Sequence, residues 1–233
     1  MINSALSARP RLSKRFESFV RTFENFEEID NLLGGSEPGM KRADYLVRDR
    51  SVIVEQKILT TNPEHKVQKY ANQLFGEGKV VANGRHSLQP YFDKRSDGRL
   101  HHRRLIYKLS DGLKEAISNA DKQLRDTRQI FSIANAIGIV ALLNEGAHAL
   151  DPQLTHLRIE KLLAEMTEQG TVRFPNTDLV IALTDIHTLK AGGTYRRIGF
   201  YASPTSLNRE AAFAFAEILK DRWIGFSGEI HVG

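Results

Sequence analysis

The 233-residue chain contains no cysteine. That excludes disulfides, thiolate metal sites and cysteine nucleophiles, and it points to a reducing compartment, the cytoplasm. Long apolar runs are also missing. "IGIVALL" at 137–143 is the longest, far short of the roughly 18 residues of a membrane span. Neither a Gly-x-x-x-x-Gly-Lys-Ser/Thr loop nor a Gly-x-Ser-x-Gly elbow occurs, so P-loop nucleotide hydrolysis and serine-nucleophile chemistry have no support. Residues 1–12 include Arg9 and Arg11 but no apolar stretch of the kind a signal peptide needs, and they read as a basic arm.

What is present suits a folded protein. Apolar residues make up 41% and charged residues 26% of the chain, close to the soluble average. A chain of this size buries about 70% of its unfolded surface, enough for a self-sufficient core. Net charge is +5, and it is unevenly spread. Residues 85–104 hold Arg85, Lys94, Arg95, Arg99, Arg103 and Arg104 against two aspartates, with three of the eight histidines. With little periodicity, 79–104 reads as a basic loop or insertion that favours a polyanion, and its Tyr91 and Phe92 could stack on bases.

Periodicity supplies the elements. Phe16, Phe19, Phe23, Phe26, Ile29 and Leu33 recur at helical spacing and predict one helix over 13–33. Strands are expected at 43–48 and 51–59 about an Asp49-Arg50 turn, with none before them. Helices follow at 63–75 and 110–132, a buried strand at 137–143, a helix from Asp151-Pro152 to 167, strands at 178–184 and 197–202, and a helix at 207–221. No internal repeat or linker breaks the series, so the expectation is a single α/β domain, a mixed central sheet flanked by helices.

Charge within the hairpin is the feature that asks for chemistry. In "SVIVEQKIL" alternation puts Ile53, Glu55, Lys57 and Leu59 on one face. A turn symmetric about Asp49-Arg50 sets Val47 opposite Val52 and Asp44 opposite Glu55, with β-carbons roughly 5 Å apart. Two such carboxylates in water-poor surroundings need a shared proton or a cation. Hard oxygen ligands suit Mg²⁺ or Mn²⁺, and Lys57 on the same face could orient or help deprotonate a water.

This arrangement resembles the PD-(D/E)xK nuclease superfamily, whose fold is that of many restriction endonucleases. Asp44, Glu55 and Lys57 carry the match, with Ala43 where the motif has proline. The resemblance implies a restriction-endonuclease-like core with an insertion at about 60–108 and C-terminal additions. It implies that Asp44 and Glu55 hold the metal, that Lys57 assists the attacking water, and that the substrate is nucleic acid, DNA more than RNA. A homodimer would suit double-strand cleavage. Superfamily members often add an acid from the first helix. Glu27 lies about 70° from the centre of the Phe face, at its border, and Asp30 competes with it. In the 110–132 helix, Gln123 borders the apolar face and matches the polar residue that the superfamily often places near metal or phosphate.

Rival constellations are weaker. Asp185 and His187 in "DIHTLK" share one side of the chain without a third ligand, and adjacent His101 and His102 diverge on any regular backbone. Two other readings stand beside the nuclease: a non-catalytic nucleic-acid-binding protein on the same scaffold, and an interaction protein whose hairpin charges only solubilise a sheet edge.

Overall fold

The computed structural model describes residues 10–34, 41–82, 85–187, 189–191, 194–196 and 198–227, with backbone only for 85, 86, 189–191 and 194–196. In chain order the elements are α1 (Leu12–Val20), β1 (Glu27–Glu28), α2 (Ile29–Leu32), β2 (Tyr45–Val47), β3 (Val52–Leu59), α3 (His65–Phe75) and α4 (Gln89–Phe92). After these come α5 (Gly98–Phe131), β4 (Ile137–Asn144), α6 (Pro152–Leu163), β5 (Leu179–Thr184), β6 (Leu189–Ala191), β7 (Thr194–Arg196), β8 (Ile198–Ala202) and α7 (Arg209–Ser227). A 3-10 turn at Arg85–Leu88 precedes α4.

Six strands form one mixed sheet in the order β1-β2-β3-β4-β5-β8. β1, β2 and β3 are antiparallel neighbours, β4 and β5 run parallel to β3, and β8 returns antiparallel to β5. A separate two-stranded sheet pairs β6 with β7. The helical crossovers α5 and α6 join the parallel strands, as parallel pairing requires. Ile53, Val140, Leu142 and Val180 pack with α3, α5 and α6 on one face, while Val52, Val54, Ile139, Ala141 and Leu143 pack with α1 and α7 on the other. Because β4 is covered on both faces, its sequence is an unbroken apolar run rather than an alternating one.

Most elements form where periodicity predicts them, including α6, whose Asp151 carboxylate accepts from the Leu154 N–H at 2.9 Å. Two do not. The predicted 13–33 helix stops at Val20. Asn25 turns the chain with φ of 51°, and Glu27 and Glu28 then pair with Leu46 and Tyr45. Phe23 still reaches the aromatic cluster of Phe19, Phe215 and Trp223, and Phe26 packs on Tyr45. A returning strand therefore satisfies the same apolar positions as a continued helix would. The second difference is the basic segment, which is helical at Arg85–Leu88, at Gln89–Phe92 and from Gly98 onward. Helix α5 begins at Gly98 and runs for 34 residues, because Leu105 and Leu109, both buried, extend the apolar stripe through the cationic residues.

Candidate active site

The hairpin sets the geometry. Val47 pairs with Val52, Leu46 with Ile53 and Tyr45 with Val54. At the tip Arg48, Asp49 and Arg50 all take positive φ, 53°, 53° and 62°, and the Ser51 N–H closes the turn on the Arg48 carbonyl at 3.0 Å. The left-handed pair at the turn centre matches the right-handed twist of the strands, although neither residue is Gly or Asn. One step beyond the ladder, Asp44 stands opposite Glu55. Its N–H donates to the Val54 carbonyl at 3.2 Å, and its Oδ2 accepts from the Gln56 N–H at 2.7 Å. The preceding Ala43 N–H donates to buried Thr127 Oγ1 of α5 at 2.8 Å, which fixes the approach to Asp44.

The two acids act on each other. Glu55 is 1% exposed. Burial pushes its carboxyl up to about 8, the charge of Asp44 adds to that, and Lys57 and Gln123 oppose it. Asp44 is also raised, first by burial and further by Asp30, against the Gln56 N–H and Lys57. At neutral pH and without a cation, the pair holds a proton.

Lys57 closes the cluster. Its Nζ lies 2.5 Å from Glu55 Oε1 and donates to Gln123 Oε1 at 2.5 Å, while Gln123 Nε2 donates to the Arg42 carbonyl at 2.6 Å. Arg42 holds Asp30 Oδ1 at 2.8 Å from Nε. Asp44, Glu55, Lys57 and Gln123 thus meet in one place, on β3, the entry to β2 and the facing side of α5.

Glu27 lies elsewhere. It sits on β1 beside the hairpin tip, where Arg50 Nε holds it at 2.6 Å and draws its carboxyl down. The acid whose charge reaches Asp44 is Asp30, at the start of α2. Two contributors, Thr127 and Arg42, have no role assigned from the sequence. Thr127 is one helical turn beyond Gln123, so the projection that selects Gln123 also reaches it. Arg42 carries no pattern that could mark it, whereas Asp30, which pairs with Arg42, is the competitor that helix projection sets beside Glu27.

The basic residues separate as well. Lys94, Arg95, Arg99, Arg103 and Arg104 are exposed on the α4–α5 turn and the first turns of α5, and Arg95 is held by Asp97 at 2.8 Å. The side chain of Arg85 lies outside the described residues. His101 bridges Tyr70 and Asp97 at 2.8 and 3.0 Å, a structural role. Asp185 is bound by buried Arg15 at 2.5 Å, whereas His187 contacts the His148 carbonyl at 3.0 Å, so these two divide. A cleft of about 720 Å³ lies away from the carboxylates, between the end of α5 and the start of α7. Its Arg128 is fully used by Asp178 at 2.8 Å and by the Ala136 and Asn176 carbonyls.

Among the described residues no three His, Asp or Glu side chains converge as a metal cage. The donor set nevertheless fits a hard cation held by two carboxylates. Glu55 Oε2 is buried with no hydrogen-bond partner, both acids are raised chiefly by burial, and Mg²⁺ commonly takes one or two carboxylates with substrate oxygens and water completing its shell. Among the described residues no helix is long and apolar enough to cross a membrane. No protein-family model, no curated protein and no solved structure matches the chain.

Proposed function

We propose that the protein is a metal-dependent nuclease that hydrolyses phosphodiester bonds in nucleic acid, DNA more than RNA. The observation that carries this reading is the register of the β2–β3 hairpin, which sets Asp44 opposite Glu55 with Lys57 on the same face. Further support comes from the layout around it: a short antiparallel meander, a helical crossover and a parallel strand, the order expected of a restriction-endonuclease-like core.

In this reading Asp44 and Glu55 hold Mg²⁺ or Mn²⁺, which would supply positive charge to the phosphate and acidify an attacking water. Lys57 stands beside Glu55, orients the nucleophilic water and offers its charge to the phosphate oxygens. Gln123 aims Lys57 and is itself anchored by the Arg42 carbonyl. Thr127, through the Ala43 N–H, keeps Asp44 in register. The exposed cations of the α4–α5 turn and early α5 contact backbone phosphates, which positions the substrate without reading its sequence.

The test is cleavage of assorted DNA and RNA substrates with Mg²⁺ or Mn²⁺ against EDTA, using wild type, Asp44→Asn, Glu55→Gln and Lys57→Ala. Loss of about 10²-fold or more in each variant, with circular dichroism unchanged, is expected for groups that act in the chemical step. Undiminished cleavage by all three removes the proposal. Binding without cleavage in every protein, wild type included, would select the non-catalytic nucleic-acid-binding reading.

A further inference from the structure

Helices α5 and α6 enclose an arginine that no acid among the described residues answers. Arg158 is 6% exposed, and its Nε is buried without a hydrogen-bond partner. Among the described residues it has no ion pair. Among the described residues its specific contact is with the Tyr107 ring, whose centroid lies 4.5 Å from the guanidinium carbon. Other arginines with little side-chain exposure differ: Arg15 is paired with Asp185, Arg42 with Asp30 and Arg128 with Asp178. Burying part of a guanidinium without a counter-charge is unfavourable, and an anion arriving from outside would relieve that cost.

More cations meet at the same ring. The Arg103 guanidinium carbon lies 5.5 Å from the Tyr107 centroid, and its Nη2 is 3.3 Å from the Tyr107 hydroxyl. Lys161, nearly one turn along α6 from Arg158, is exposed. The Tyr107 phenol is drawn below its ordinary range, first by the Arg103 hydrogen bond and then by the charges of Arg103, Arg158 and Lys161. Of the acids nearby on the chain, Glu160 lies 3.4 Å from His156, and Glu165 holds Arg173 and Lys114.

We infer that Arg103, Tyr107, Arg158 and Lys161 form a phosphate site that takes a backbone phosphate of a polynucleotide. The polynucleotide identity rests on the nuclease reading above; the anion chemistry rests on the unanswered Arg158 alone. Two guanidinium groups provide the fork geometry that phosphate oxygens fit, and the phenol adds a hydroxyl donor. Tyr107 stands about 24 Å along α5 from Gln123, at about 1.5 Å per residue. That is about seven base-pair steps of duplex at roughly 3.4 Å each. A strand that reaches both places must therefore be several nucleotides long, so the site would secure the flank of a substrate and not the phosphate being cut.

The experiment measures binding of a labelled 20-nucleotide single strand and a 20-base-pair duplex to the full chain in EDTA across a salt series. Arg158→Met keeps the apolar stem over Tyr107, and exposed Lys161→Ala guards against a folding artefact. Both variants should bind at least about fivefold more weakly, and the slope of log K against log salt should become shallower by about one contact. Arg158→Met should also melt no lower than wild type, since a desolvated charge is removed. Wild-type affinity and slope in both variants overturn the inference. So does a melting-temperature rise with inorganic phosphate that Arg158→Met abolishes while oligonucleotide binding is untouched, because the site then serves a small anion. Weakened binding in Arg158→Met together with no cleavage by any protein, wild type included, would leave this site standing and remove the nuclease reading instead.

Discussion

The Lys57 ammonium donates to the Gln123 side-chain oxygen at 2.5 Å, joining β3 to α5 across 66 residues of chain. The contact serves two ends at once, since Gln123 also donates to the Arg42 carbonyl at 2.6 Å. Gln123 thereby sets the direction of Lys57 and the path of the chain that leads to Asp44.

Gln123→Ala should lower stability by about 1–3 kcal/mol, the usual consequence of leaving buried polar partners unmatched. Cleavage should fall about tenfold, less than in Lys57→Ala, because Glu55 still holds Lys57 at 2.5 Å. Urea denaturation and initial rates measure the two effects. Gln123→Leu, which fills the space without polar ends, separates packing from hydrogen bonding. Wild-type rates in both variants would show that Glu55 alone orients the lysine.

How far the sequence discloses this site depends on how local each part is. Asp44, Glu55 and Lys57 belong to one hairpin, whose register follows from the four residues Arg48–Ser51 between Val47 and Val52, so short-range reasoning reaches them. Gln123 is distant, but a regular helix carries its direction and projection recovers it. Glu27 is different, because a helix and a returning strand bury the same aromatic positions and only pairing with β2 decides between them. The first turns of α5 are hidden because charged residues crowd Leu105 and Leu109, the two side chains that define the face. Arg158 is marked, though faintly: it lies four residues after Leu154 and four before Leu162, all three buried, which is the apolar stripe of α6.

Protonation of the carboxylate pair gives a pH test in which stability is the readout. Glu55 is pushed up to about 8 from an ordinary value of 4.5. Between those values the folded protein keeps a proton that the unfolded chain has released, so stability in EDTA should fall as pH rises through this window. Glu55→Gln should flatten that slope and be the more stable protein above about pH 8. Mg²⁺ should raise the melting temperature more at about pH 8 than at about pH 5, since cation binding displaces the proton. Thermal melts across pH with EDTA or Mg²⁺ decide it; parallel curves for wild type and Glu55→Gln in EDTA would refute the raised carboxyl.

Gly98 controls how the basic turn is presented. A β-carbon there would lie 1.8 Å from the Phe92 carbonyl oxygen, so the close approach of α4 to the start of α5 depends on its absence. The opposing group is backbone and cannot rotate away. Gly98→Ala should therefore force the two helices apart and lower stability by about 1–3 kcal/mol, the range for overpacked sites. The ring contacts of Phe92 with His101 and His102 loosen with it. Lys94 and Arg95 lie in the turn that opens, so trypsin should cut after them faster in the variant than in wild type, the added cleavage coming from local opening rather than global unfolding. Oligonucleotide affinity in EDTA should fall in parallel, because the turn would no longer hold its cations beside those of α5. Equal urea midpoints and equal trypsin rates for the two proteins would mean that the β-carbon is accommodated and that the basic turn is positioned by other contacts.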